Sequence, residues 1–286
     1  MSINLCKESE LRELLTRHGF HFSKSKGQNF LVREWVPQRI AEEAGVDDAF
    51  VLEVGPGVGT LTTQLCRRAD SVCAVEVDQT LRPLLAETLA EHNNLEIIFS
   101  DVLKTDLPSL VAERAQGRRA VACANLPYYI TTEVLTRLLS SHCFSDVTVM
   151  IQKEVAQRIC AKPGTDAYGA FSVFCQYHAQ PQILFDVPAG CFIPQPKVTS
   201  AVLHLHVRTE PVCPVKDEKL FFRVVRASFS QRRKKLVNGL ASGFGNLSKQ
   251  QLQDAIAACG FDANVRGETL SIPEFARLAD AIGTLL

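Results

Sequence analysis

Short apolar runs that alternate with helix-length segments constrain this chain more than anything else in it. "FVLEV" (50–54), "SVCAVEV" (71–77), "LEIIF" (95–99), "AVACA" (120–124) and "VTVMI" (147–151) read as buried strands, separated by helical patterns near 60–69, 79–92, 106–117 and 131–141. A parallel return needs a crossover, and helices on both faces bury the strands completely. The alternation therefore predicts an α/β fold with a doubly wound, mostly parallel sheet. Two later runs, "QILFDV" (182–187) and "SAVLHLHV" (200–207), share a short connection and fit an antiparallel addition at the sheet edge. Upstream, Leu5, Leu11, Leu14 and Leu15 mark an amphipathic helix over 5–18, and a second helix near 33–45 ends at Gly45.

The pattern changes at "RTEPVCPVKDEK" (208–219), which has two prolines, no periodicity and the character of a linker. Beyond it, segments 219–230, 232–242, 248–259 and 273–285 all read helical. Ser248 with Gln251 makes a capping box, and Pro273 suits a first helical turn. Two domains are expected: 1–208, and a small all-helical domain over 209–286.

Composition excludes several classes. Apolar residues make 46% and charged residues 22% of the 286, within the ordinary globular range. No apolar run reaches the roughly 18–20 residues of a membrane helix. "MSINLCKESELRELL" lacks the basic-then-apolar layout of a signal peptide. A cytoplasmic monomer is expected. The ten cysteines show no C-x-x-C and no His/Cys cluster at zinc spacing, so reduced thiols and no metal are expected. The formal net charge is zero. Basic residues nevertheless cluster, in "FFRVVRASFSQRRKKL" (221–236) and "RHGFHFSKSKGQNFL" (17–31). Local cationic surfaces of this kind suit an anionic polymer partner, while either strip alone also reads as a solvated helix face.

"VLEVGPGVGTL" (51–61) is a strand, a glycine turn and a helix start. Gly55, Gly57 and Gly59 let the backbone approach a ligand at the carboxyl edge of the sheet. Glu76 follows about 20 residues on, where a carboxylate can accept both hydroxyls of a ribose. The loop reads G-x-G-x-G rather than the dinucleotide G-x-G-x-x-G. Glu53 just before it would sit badly beside a diphosphate but well beside an α-ammonium. Asp101, after the next strand, can accept an adenine amino group. Together these favour S-adenosylmethionine over a nicotinamide dinucleotide or a purely structural glycine turn, a turn that alone would be weak evidence.

"NLPYY" (125–129) follows the fourth strand, on the same sheet edge. The Asn125 side-chain carbonyl and a backbone carbonyl in Leu126–Pro127 can receive the two N–H bonds of an aromatic amine. The nitrogen lone pair is then free to face a sulfonium methyl. Pro127 stiffens the turn and Tyr128 offers a face for a base. The acceptor stays open at this point, because adenine in DNA or RNA and a glutamine amide all present a planar –NH2. A structural Asn–Pro turn is the plainer reading.

"KGQNFL" (26–31), "EVGPGVGTLT" (53–62), "VEVD" (75–78), "SDVL" (100–103), "NLPYYI" (125–130), "KPGTDAYGAFSV" (162–173), "FIPQPKVTSAV" (192–202) and "FSQRRKKL" (229–236) occur in order. The chain thereby resembles the bacterial small-subunit ribosomal RNA adenine N6,N6-dimethyltransferases, from residue 20 to the terminal helices. The resemblance implies a Rossmann-like class I methyltransferase fold and S-adenosylmethionine as donor, with S-adenosylhomocysteine as product. It implies donor contacts at Asn29, Leu31, Gly55, Glu76, Asp101 and Asn125, with Gly57 in the same loop. It implies a clamp of Asn125, Leu126 and Tyr128, and Phe192 flanking the target base. The substrate would be two adjacent adenines in a hairpin loop near the 3′ end of small-subunit rRNA, within an immature subunit. Loop adenines can be splayed out at low cost. Arg232, Arg233, Lys234 and Lys235 would contact RNA. Phe192 also reads as an edge-strand aromatic, although "IPQPK" after it suggests a rigid exposed loop. Lys197 fits a phosphate contact or simple solvation equally. Two departures, Ala170–Phe171 where a basic residue and Leu are expected and "RRKKL" without a hydroxyl residue after "RRK", bear on RNA contacts. Two other functions remain open: a nucleic-acid-binding assembly or transcription factor on the same fold, and a DNA adenine-N6 methyltransferase.

Overall fold

The structure, a computed structural model, describes residues 3–22 and 27–286. Lys24 and Lys26 of the first basic strip, the latter opening "KGQNFL", lie outside the described residues. The elements run α1 (Glu8–Arg17), β1 (Phe30–Leu31), α2 (Trp35–Glu43), β2 (Phe50–Val54), α3 (Thr60–Cys66) and β3 (Ser71–Glu76). Then come α4 (Arg82–Thr88), β4 (Leu95–Phe99), α5 (Leu107–Ala115), β5 (Ala120–Asn125), α6 (Thr131–Ser140) and β6 (Asp146–Gln152). They continue with α7 (Lys153–Ile159), α8 (Ala170–His178), β7 (Ala179–Val187), β8 (Phe192–Ile193) and β9 (Ser200–Val207). The last are α9 (Glu218–Phe229), α10 (Leu236–Gly243), α11 (Lys249–Ala258) and α12 (Ile272–Gly283). Among the described residues no helix is long and apolar enough to cross a membrane.

The seven-stranded sheet has the order β4-β3-β2-β5-β6-β9-β7. Strands β4, β3, β2, β5 and β6 are mutually parallel, and β9 joins β6 antiparallel, as the alternation predicts. Every residue of β2 is buried, which a strand covered on both faces requires. The chain leaves β2 toward β3 on one side and returns through β5 on the other. A crevice opens at such a reversal, beyond the carboxyl ends of the strands. A separate two-stranded ladder pairs Phe30 with Ile193 and Leu31 with Phe192. These short strands escape sequence reading because two residues carry no period.

Two compact units make up the chain: Met1–Ala156 with Pro181–Val207, and Gln157–Gln180 with Arg208–Leu286. A cut at 208/209 assigns 157–180 to the sheet domain, whereas the structure places them in the second unit. The reason is packing. Val173 and Tyr177 of α8 are buried with Phe221, Val224, Phe244 and Phe275 in that unit's core. At the start of α8, Phe171 stacks parallel to Phe174 at 6.0 Å, so the departure at this position is absorbed in an aromatic contact. Ser248 and Gln251 form the expected capping box, and Ser271 with Glu274 forms another. Helix α10 begins at Leu236 rather than near 232. The backbone of Lys235 is not helical (φ −57°, ψ 146°), and the Leu236 amide donates to the Val265 carbonyl (2.8 Å) instead of continuing a helix.

Candidate active site

All four strand ends singled out in the sequence, together with residues 27–31, line one pocket of the first unit. After Val54 the backbone turns through Gly55, Gly57 and Gly59, each with positive φ (71°, 61° and 92°). Space adds to the demand for glycine. A Cβ on Gly57 would lie 3.1 Å from the Phe30 ring, and one on Gly59 would lie 2.8 Å from Leu89. The Gly57 amide reaches toward Glu76 Oε2 (3.4 Å), and the Asp78 amide donates to Glu76 Oε1 (2.7 Å). Glu76 is buried, and that burial raises its proton affinity. Asp101 accepts from the Leu103 amide (3.0 Å) and turns its remaining surface to the pocket.

Glu53 also lines the pocket while only 1% exposed, and its Oε2 has no hydrogen-bond partner among the described residues. Burial pushes its carboxyl up to about 8. An orphaned acid of this kind is stabilised by a cation beside it and opposed by an anion. The donor set therefore suits an ammonium-bearing, phosphate-free ligand.

At the end of β5, the Asn125 amide nitrogen donates to the Asn29 carbonyl (3.1 Å), and Asn29 Nδ2 donates to the Gly27 carbonyl (3.0 Å). With the nitrogen engaged, Oδ1 is the end of the amide left to accept from a ligand. The Pro127 carbonyl accepts from the Ile130 amide (3.2 Å), which leaves the Leu126 carbonyl as the backbone acceptor of this turn. The Tyr128 hydroxyl is 2.7 Å from the buried Ser200 hydroxyl, and burial raises its phenol. Tyr129, by contrast, is 58% exposed and lies over Gly27 at the pocket lip. The two tyrosines are successive residues of a 3-10 turn, so their side chains diverge by about a third of a turn.

Sequence reasoning missed Gln28, Val77 and Asp78 and gave Tyr129 of the "NLPYY" stretch no role of its own, yet all four line the pocket. Gln28 Nε2 donates to Asp78 Oδ2 (2.8 Å), joining the segment before β1 to the loop after β3. The "VEVD" and "GQN" stretches were visible, but no spacing rule brings them together.

Two expected site groups differ. Phe192 is not on an exposed loop: it is 3% exposed, sits in β8 opposite Leu31, and packs in a core with Val36, Cys191 and Val202. It does not line the pocket. Pairing with β1 turns its ring inward, and only the stretch after it, including Lys197 and Val198, is exposed. The basic tetrad lies in the second unit. Arg232 is committed within that unit, donating to the Asp166 carbonyl (2.6 Å) and standing 3.7 Å from Glu268. Arg233, Lys234 and Lys235 are exposed and make no ion pair among the described residues.

Residues 19–283 match the family model described as ribosomal RNA adenine dimethylase. A Geobacillus thermodenitrificans protein named ribosomal RNA small subunit methyltransferase A is 44% identical over 99% of this chain and 98% of its own length. A Shouchella clausii protein of the same name is 47% identical over 96% of this chain and 94% of its own. Among solved structures, the 23S rRNA methyltransferase ErmE has 25% identity and a TM-score of 0.66, over 89% of this chain and 99% of its own. A dimethyladenosine transferase from Plasmodium falciparum has 23% identity and a TM-score of 0.72, over 89% and 97%.

Proposed function

The chain belongs to the ribosomal RNA adenine dimethylase family, and we propose that it moves methyl groups from S-adenosylmethionine to N6 of two adjacent loop adenines near the 3′ end of small-subunit rRNA. Bound S-adenosylmethionine supplies a methyl already activated by the sulfonium. Glu53 would receive the donor's ammonium, Glu76 its ribose hydroxyls and Asp101 its adenine amine, with Asn29, Leu31, Gly55 and Gly57 lining the same pocket. Asn125 Oδ1 and the Leu126 carbonyl would accept hydrogen bonds from the N6–H groups of the target (two in the first transfer, one in the second), and Tyr128 would support the ring. The nitrogen would thereby be presented to the methyl without a strong base: each N–C bond forms as the methyl–sulfur bond breaks, the thioether leaves neutral and one N6 proton passes to solvent, with alignment carrying much of the acceleration.

One observation carries this reading: the Asn125 amide is oriented by Asn29 within the same pocket as the glycine loop and Glu76. The test incubates the protein with donor and immature small subunits and analyses the 3′ terminal rRNA fragment by mass spectrometry. Two dimethyladenosines are expected, and unmodified adenine at both positions would refute the assignment. A separate role in subunit assembly draws support from the exposed cations of the second unit, Arg233, Lys234 and Lys235. Full rescue of subunit maturation by Asn125→Ala would make binding, rather than methyl transfer, the dominant function.

A further inference from the structure

At the end of the sheet opposite the pocket, β6 and β9 bring together three metal-ligating side chains that the methyl-transfer reading leaves unused. In the antiparallel register Asp146 faces His206 and Thr148 faces His204. Residues two apart on a strand share a face, so all four side chains lie on one side of the ladder. Asp146 Oδ1 is 2.8 Å from His206 Nδ1 and 3.3 Å from His204 Nε2. The three ligating atoms lie within 4.8 Å of one another.

We propose that Asp146, His204 and His206 bind one divalent transition-metal ion of the zinc class, with solvent completing the coordination. Zinc bonds of about 2.0–2.1 Å in a tetrahedron set ligand atoms roughly 3.3 Å apart. The His204 separation from the carboxylate already has that value, His206 has to move outward from it by about 0.5 Å, and the two imidazole nitrogens, within 4.8 Å of each other, turn toward the same ion. Its side chain is 66% exposed and free to do so. The outer partners are also those that metal ligands require. Asp146 Oδ2 accepts from Ser145 (2.8 Å) and Arg119 (3.3 Å), while His204 Nδ1 is 2.9 Å from the Thr148 hydroxyl. These contacts aim Oδ1 and Nε2 at the shared point before any ion arrives. The imidazole-plus-carboxylate set suits zinc, cobalt or nickel over magnesium or calcium. Arg119 opposes the ion's charge and weakens the site without closing it. A bound ion would brace the first residue of β6 against the last residues of β9. The sequence hides the site because the carboxylate and the His-x-His pair come from different strands.

The competing arrangement is a hydrogen-bonded cluster in which both imidazoles donate to Asp146 and no ion enters. Titration of the full-length protein with Co2+, followed by visible absorption and competition with Zn2+, separates the two. One Co2+ per chain is expected, with ligand-field bands of a nitrogen–oxygen set and no thiolate charge-transfer band, displaced by Zn2+. His206→Ala, at an exposed position that folding does not depend on, should weaken binding more than tenfold. Thr148→Val should weaken it by about 10–100-fold, and methyl transfer should be unchanged in both. Three results would overturn the proposal: no saturable binding, a thiolate band marking cysteine ligation, or equal affinity in His206→Ala and the parent.

Discussion

The side-chain amide of Asn125 donates to the backbone carbonyl of Asn29 across 3.1 Å. The end of β5 is thereby tied to the segment that enters β1, and the amide presents its oxygen to the pocket. On the proposed reading, replacing Asn125 with Ala removes an acceptor for the reacting nitrogen. By analogy with losing one oriented hydrogen-bonding group from an active site, kcat should fall about 10²–10³-fold. Single-turnover methylation and donor titration check this. An equal loss in donor affinity alone would place Asn125 in binding rather than in transfer.

If Glu53 receives the donor's ammonium as proposed, donor binding depends on pH. The Glu53 carboxyl is pushed up to about 8 by burial, so below that pH the empty pocket holds it protonated. An ammonium beside it favours the carboxylate, and binding then releases a proton. Between about pH 6 and 7.5, donor affinity should rise about tenfold per pH unit. Calorimetry in buffers of different ionisation heat measures the released proton, and Glu53→Gln should abolish it. The same shift sets a stability trend: the protein's benefit from a neutral Glu53 is complete below about pH 4.5 and is lost as pH rises toward 8. A pH-independent donor affinity would contradict the assignment.

Gly59 carries a φ of 92° at the start of α3, and a Cβ there would stand 2.8 Å from Leu89. Gly59→Ala should destabilise the protein by about 1–3 kcal/mol for the backbone conformation alone. Urea unfolding measures the loss. A variant as stable as the parent would mean that the loop relaxes without cost.

Phe192 is expected to act through packing. Phe192→Ala opens a cavity in a buried site and should cost about 3–5 kcal/mol, whereas Phe192→Leu should cost much less. Parallel melting curves and RNA affinities separate packing from recognition. Weakened RNA binding at unchanged stability would restore the base-contact role.

Arg233, Lys234 and Lys235 are the exposed members of the basic tetrad. Replacing all three with Ala should lower the salt slope of RNA binding by about 2–3, at ~0.7–0.9 per phosphate contact. Arg232→Ala should act chiefly on stability, because its guanidinium holds the Asp166 carbonyl and stands near Glu268. Filter binding across a salt series reads both effects.

Legibility followed the range of the interactions. The strands from Phe50–Val54 to Ser200–Val207, the caps at Ser248 and Pro273, and the glycine turn are local, written in periods and residue types that any chain must obey. The order of strand-end acids and amides was readable for the same reason, since parallel strands deliver their carboxyl ends to one edge. What only the folded chain decided was contact between distant segments. Pairing of Leu31 with Phe192 turned an expected exposed ring into core. Burial of Val173 and Tyr177 drew 157–180 into the helical unit, and the β6–β9 register set Asp146 beside two histidines. Such contacts depend on burial and register across long loops, and neither leaves a repeat in the sequence.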